Sequence, residues 1–153
     1  MGFSSLPWPF VGADDECGAD AVERALALWL ERGRRLGSTS ALFVDPRPSD
    51  RRLLRLARDH GARVTALCAA DRAADACAGG AEFVMDPRVT DPTWYRGAWS
   101  VIVDPDGRLG FRRARPALVP CGVYLTASPS ARHLARSLAS LLGGGPRVAR
   151  LPR

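Results

Sequence analysis

Five aspartates follow short apolar runs closely. Asp45 comes after Ala41-Leu42-Phe43-Val44, Asp71 shortly after Val64-Thr65-Ala66-Leu67-Cys68, and Asp86 after Phe83-Val84-Met85. Asp104 and Asp106 follow Trp99-Ser100-Val101-Ile102-Val103. Carboxylates crowded into one crevice raise one another's pKa and can share general acid–base work. The same crowding would suit a cationic or hydroxyl-rich small molecule, or an Arg-rich segment of a protein partner. Arg47 and Arg72 are the nearest cations, and Ser49, Thr126 and Ser128 the nearest hydroxyls. The candidate cleft set is therefore Asp45, Arg47, Ser49, Asp71, Arg72, Asp86, Thr126 and Ser128. Turn chemistry is the competing explanation: Asp45-Pro46, Asp86-Pro87, Asp91-Pro92, Asp104-Pro105 and Asp106-Gly107 are ordinary turn dipeptides.

Other chemistries find little support. His60 and His133 have no neighbouring Ser or Cys that marks a nucleophile, and no G-x-S-x-G or phosphate-loop motif occurs. Cys17, Cys68, Cys77 and Cys121 form no C-x-x-C pair, so no metal site is expected and the thiols read as reduced and structural. The net charge of +6 comes from arginine alone, because all 22 basic residues are Arg. A lysine-free, Ala- and Arg-rich chain fits a GC-rich genome. The arginines are also dispersed, without alternating aromatics, so nucleic acid is not an expected partner.

At 153 residues and 46% hydrophobic, the chain suits one domain with a real core. No apolar run approaches the ~20 residues needed to cross a bilayer. The opening Met1-Gly2-Phe3-Ser4-Ser5 has no basic start and is a poor acylation match, so a cytoplasmic protein without a membrane partner is expected.

The elements that must position these residues alternate. Residues 1–19, with Leu6-Pro7-Trp8-Pro9-Phe10, are expected to form an arm, and 20–153 a single domain. Val22, Ala25, Leu26, Trp29 and Leu30 give a helix from Asp20 to about Arg35. Strands follow at Ala41–Val44, Val64–Cys68, Phe83–Met85, Trp99–Val103, Val123–Thr126 and Arg147–Leu151. Between them come helices from about Asp50 (capped by Ser49), from Asp71 to Ala78, near 108–115, and from Ser128-Pro129 to Leu142. Apolar strands alternating with helices imply an α/β fold with a doubly wound, mostly parallel six-stranded sheet, helices on both faces.

Several phrases in order carry a resemblance. They are Leu56-Ala57-Arg58-Asp59-His60-Gly61-Ala62-Arg63-Val64-Thr65, Gly80-Ala81-Glu82-Phe83-Val84-Met85-Asp86, Trp99-Ser100-Val101-Ile102-Val103-Asp104, and Arg113-Ala114-Arg115-Pro116-Ala117-Leu118-Val119-Pro120-Cys121-Gly122-Val123-Tyr124-Leu125. Together they resemble the nucleotide-binding (Rossmann) half of zinc-independent medium-chain dehydrogenase/reductases, the quinone-oxidoreductase and enoyl-reductase branch. The resemblance implies that the loop at Asp104 and Asp106 faces the nicotinamide end of a cofactor, which makes these two the expected catalytic residues. It also places Arg72 near the 2′-phosphate of NADP, and lets two copies pair through the final strand as a homodimer.

Two departures redirect the expectation. The family's Gly-rich turn after the first strand, where bare backbone approaches a pyrophosphate, is replaced by Asp45-Pro46-Arg47-Pro48-Ser49-Asp50. The two prolines lack N–H donors, and the aspartates would face an anion. The family's separate catalytic half is not expected either, because about 20 residues precede the first helix. The chain is thus expected to be a degenerate reductase-like domain, without cofactor, that binds a small molecule or protein partner. Its role would be accessory or non-redox, cyclase- or dehydratase-like, within specialised metabolism. The rival expectation is an NAD(P)H-dependent reductase half, with NADP as cofactor, completed by another chain.

Overall fold

A computed structural model describes residues 39–126 and 147–150, together with Glu23, Leu26, Ala27 and Leu30. Six strands form one sheet: β1 Ser40–Val44, β2 Arg63–Leu67, β3 Phe83–Met85, β4 Trp99–Val103, β5 Leu118–Thr126 and β6 Arg147–Arg150. Their order is β3-β2-β1-β4-β5-β6, and every described pairing is parallel. Parallel strands need long crossovers, and those crossovers carry the helices: α1 Arg51–Asp59, α2 Ala73–Gly79 and α3 Phe111–Ala114.

Apolar runs are required because both faces of the sheet are buried. Ala41, Phe43, Val64, Ala66, Val101, Val103, Val123 and Leu125 point to one face, with Leu53, Leu54 and Ala57 of α1 packed over them. Leu26 and Leu30, in helical conformation as their spacing predicts, join this cluster. Leu42, Val44, Ile102 and Tyr124 alternate to the opposite face, where Phe111 and Ala114 of α3 cover them. The expected fold is the observed one. Ala25, Trp29, the arm over residues 1–19 and the helix from Ser128 lie outside the described residues, while β3 and β6 are the two edges of the described sheet.

The helix starts differ from expectation. Pro46 and Pro48 keep the chain extended through Arg47 (φ −90°, ψ 165°), and a 3-10 turn over Pro48–Asp50 precedes α1. Ser49 therefore sits inside that turn and does not cap the helix. The cap is reciprocal instead, the Arg47 N–H donating to Asp50 Oδ2 at 2.7 Å and the Asp50 N–H to the Arg47 carbonyl at 2.9 Å. A second 3-10 turn, Ala70–Arg72, likewise delays α2 to Ala73.

Asp91 fixes the stretch between β3 and β4. Its carboxylate accepts the Thr93 N–H at 2.9 Å and hydroxyl at 2.7 Å, and Arg113 of α3 reaches it at 2.8 Å. The Thr93 donors, reinforced by Arg113, hold this carboxyl below the usual carboxylate range. Asp91→Ala is expected to cost about 1 kcal/mol, the usual value of a lost cap. Because the folded-state pKa is depressed, the contribution is present above about pH 4 and is lost as pH falls through the lower folded value. Urea titrations of both proteins at neutral pH and at low pH check this: the gap should close in acid.

Candidate functional site

Where neighbouring strands send their loops in opposite directions, a doubly wound sheet opens a crevice at the strands' carboxyl ends. Here that point lies between β1 and β4, so the loops beginning at Asp45 and Asp104 face each other. Asp45 adopts φ 48°, a left-handed conformation uncommon outside glycine, while its N–H stays bonded to the Leu67 carbonyl at 2.7 Å.

The Asp45 carboxylate is held by two arginines from different loops. Arg72, after β2, donates to Oδ1, and its other terminal nitrogen donates to the Pro46 carbonyl. Arg108, after β4, reaches Oδ2 at 2.8 Å. The network continues: Arg108 Nε lies 3.8 Å from Asp106 Oδ2, and Arg47 donates to that same oxygen at 2.5 Å. Charges alternate from Arg72 through Asp45, Arg108 and Asp106 to Arg47. Three guanidiniums and two carboxylates leave one positive charge in excess.

This overturns the expected acidic patch. Asp45 and Asp106 are neutralised in place. Asp86 is gripped by Arg88, with Nη2 to Oδ2 at 2.8 Å, and those hydrogen bonds lower its pKa. It leaves β3 at the sheet's edge, separated from the junction by β2 and β1. Asp71 lies in the turn after β2, its charge felt by Cys68 and Arg88 rather than joined to the network. The physical reason is reach: arginine side chains from adjacent loops meet carboxylates that sequence distance separates from them.

Asp104 does not offer its carboxylate to a substrate. The residue is fully buried. Oδ1 accepts the Arg108 N–H at 2.9 Å, and Oδ2 accepts the N–H groups of Leu109 at 2.9 Å and Gly110 at 3.1 Å. The Tyr124 hydroxyl donates to Oδ2 at 2.6 Å. Burial, and then this hydrogen bond, push the Tyr124 hydroxyl well above the ordinary tyrosine range. Thr126, also buried, hydrogen-bonds the same hydroxyl from β5. Asp104 and Thr126 thus belong to the frame beneath the loop, whereas Asp106 lies on its surface in the crevice.

One more expected residue falls elsewhere. Ser49 lines an open groove of about 460 Å³ with Glu23, Arg51, Arg52 and Arg55 instead of the crevice residues. Ser128 lies outside the described residues. The sequence reading missed Arg108 and Tyr124. The signal for Arg108 was an arginine directly behind the Asp-Pro-Asp-Gly turn. For Tyr124 it was a phenol in an otherwise apolar strand, since a buried hydroxyl needs a partner. Cys68 is a buried thiol whose pKa burial raises, and Cys77 is exposed and free. No group of metal-ligating side chains occurs among the described residues.

No protein-family model and no curated protein matches the sequence. Solved structures do match its fold. Cinnamyl alcohol dehydrogenase from Sorghum bicolor superposes with a TM-score of 0.62 at 15% identity, over 89% of this chain and 39% of that one. Quinone oxidoreductase from Coxiella burnetii gives 0.60 at 14% identity, over 86% and 42%. Escherichia coli quinone oxidoreductase, solved in complex with NADPH, gives 0.54 at 20% identity, over 73% and 37%. The chain spans about two-fifths of the length of these structures. At such identities the likeness establishes the fold alone, a parallel Rossmann-like α/β sheet, which is the fold that the sequence phrases implied.

Proposed function

We propose that this chain is an oxidoreductase-like Rossmann domain whose crevice no longer grips a dinucleotide over the β1 turn. It binds a small molecule there and serves an accessory, non-redox role. The observation that carries this reading is the Asp45 carboxylate held between Arg72 and Arg108. A dinucleotide's pyrophosphate is ordinarily met at this turn by bare backbone N–H groups. In this turn Pro46 and Pro48 have none, and the Arg47 N–H is taken by Asp50. The cationic ligand that an acidic patch would have favoured loses its support, because each crevice carboxylate already faces a guanidinium.

A second reading has its own observation. Arg72 stands just beyond β2, where an arginine can accommodate the 2′-phosphate of NADP, and one of the matched structures is an NADPH complex. Under this reading the chain supplies the NADP-binding half of a reductase.

Titrating NADPH and NADH into the protein while following tryptophan fluorescence separates the two. No saturable change is expected at micromolar cofactor. Micromolar binding of either would overturn the first reading in favour of the second.

A further inference from the structure

We propose that the crevice is an oxyanion site whose resident anion is the protein's own Asp45 carboxylate, and that a phosphate-bearing small molecule binds by displacing it from Arg72 and Arg108. The inference rests on the small-molecule reading above and names the chemistry of the ligand. Two guanidiniums from two separate loops converge on a single carboxylate, so one negative charge serves two cations. Arg47 stands beside them on Asp106, at 2.5 Å.

A phosphate monoester is better matched to this cluster. It carries a charge of about −1.5 to −2 and three acceptor oxygens, and pairs with arginine through short charge-assisted hydrogen bonds. The guanidiniums are within reach of solvent, with side-chain exposures of 61% for Arg108, 59% for Arg47 and 32% for Arg72. The Asp45 carboxylate lies deeper, at 19%. Its φ of 48° sets it where the chain turns away from β1, close enough to serve both arginines. The grip on the ligand comes from side chains. That suits a single phosphate or a compact diphosphate rather than an extended dinucleotide, which needs a bare-backbone turn.

Asp45 is then an internal competitor. If it occupies the arginines in all but about one molecule in ten, removing it tightens anion binding about tenfold, because apparent affinity scales with the competent fraction.

Inorganic pyrophosphate, titrated calorimetrically into the full chain at fixed ionic strength, tests this. Asp45→Gly removes the carboxylate and leaves φ 48° freely accessible. It should bind pyrophosphate about tenfold more tightly than the wild type. The gain should vanish when Arg72→Gln and Arg108→Gln are added. Asp45→Asn, neutral and tolerant of the same φ, should tighten binding in the same direction and stands in if the glycine variant does not fold. Unchanged affinity in a folded position-45 variant would overturn the proposal, as would a gain that survives loss of both arginines. The cofactor titration of the wild type fails separately. Micromolar NADPH binding sinks the non-redox reading, whereas an unchanged pyrophosphate affinity sinks only the displacement.

Discussion

Asp104→Ala is expected to destabilise the fold by about 3–4 kcal/mol, because hydrogen bonds to a charged acceptor are worth about 1.5–3 kcal/mol each and their losses are not additive. For a domain of this size that lowers the melting temperature by about 10 °C. Three backbone N–H groups and the Tyr124 hydroxyl converge on this one carboxylate, which is closed off from water. Alanine would strand all four donors at once, and a buried donor without an acceptor bears its full desolvation cost. The residues after Asp104 take their course from it: Gly107 and Gly110 adopt φ 69° and 77°, and the Gly107 N–H closes on the Asp104 carbonyl at 3.1 Å. Loss of the anchor should therefore also release Arg108 from Asp45.

Tyr124→Phe removes the hydroxyl, and with it the bonds to Asp104 and Thr126. It should cost about 1.5–3 kcal/mol, less than Asp104→Ala. The tyrosine's folded-state pKa is raised, so its contribution is complete below about pH 10, where the unfolded tyrosine ionises, and declines above that. Thermal melts across this range should show wild type and Tyr124→Phe converging in alkali. An Asp104→Ala protein that melted like the wild type would show that the residue is free for chemistry after all.

The sheet was legible in the sequence because burial on both faces leaves continuous apolar runs. Phe83–Met85 and Trp99–Val103 are bounded as their composition predicts. The fifth strand was legible only from Val123, although it begins at Leu118. Pro120 and Gly122 lie in an irregular stretch of pairing within the strand. At the site, strand ends pointed to Asp45, Arg47, Arg72 and Asp106, since the topology of an α/β sheet brings those ends together. What each carboxylate touches was not legible. Arg72 lies 27 positions from Asp45, and no periodicity connects them. Alternation also stops where a strand stops, so nothing in the pattern marked Asp104 as buried and Asp106 as exposed.

That irregular stretch carries the last large effect. β4 and β5 pair Trp99 with Leu118 but Val101 with Val123, so β5 accommodates three extra residues before regular pairing resumes. Gly122 makes this possible: a Cβ there would meet the Val119 carbonyl oxygen at 3.0 Å, the Ser100 carbonyl oxygen at 3.1 Å and Leu118 Cδ2 at 3.1 Å. Leu118 can rotate, but the Ser100 carbonyl belongs to β4, which is hydrogen-bonded between β1 and β5 and has little room to retreat. Gly122→Ala should cost about 1–3 kcal/mol, the range for overpacking a filled interior, and Gly122→Val more. The strain has one direction of relief, which is to move β5 away from β4. That movement would draw the Tyr124 hydroxyl off Asp104, two strand positions further on. The two losses should therefore overlap, and Tyr124→Phe should cost distinctly less in the Gly122→Ala background than in the wild type. Chemical denaturation of the four proteins in that cycle measures the overlap. Strictly additive costs would mean that the close approach at Gly122 and the anchoring of the crevice loop are independent.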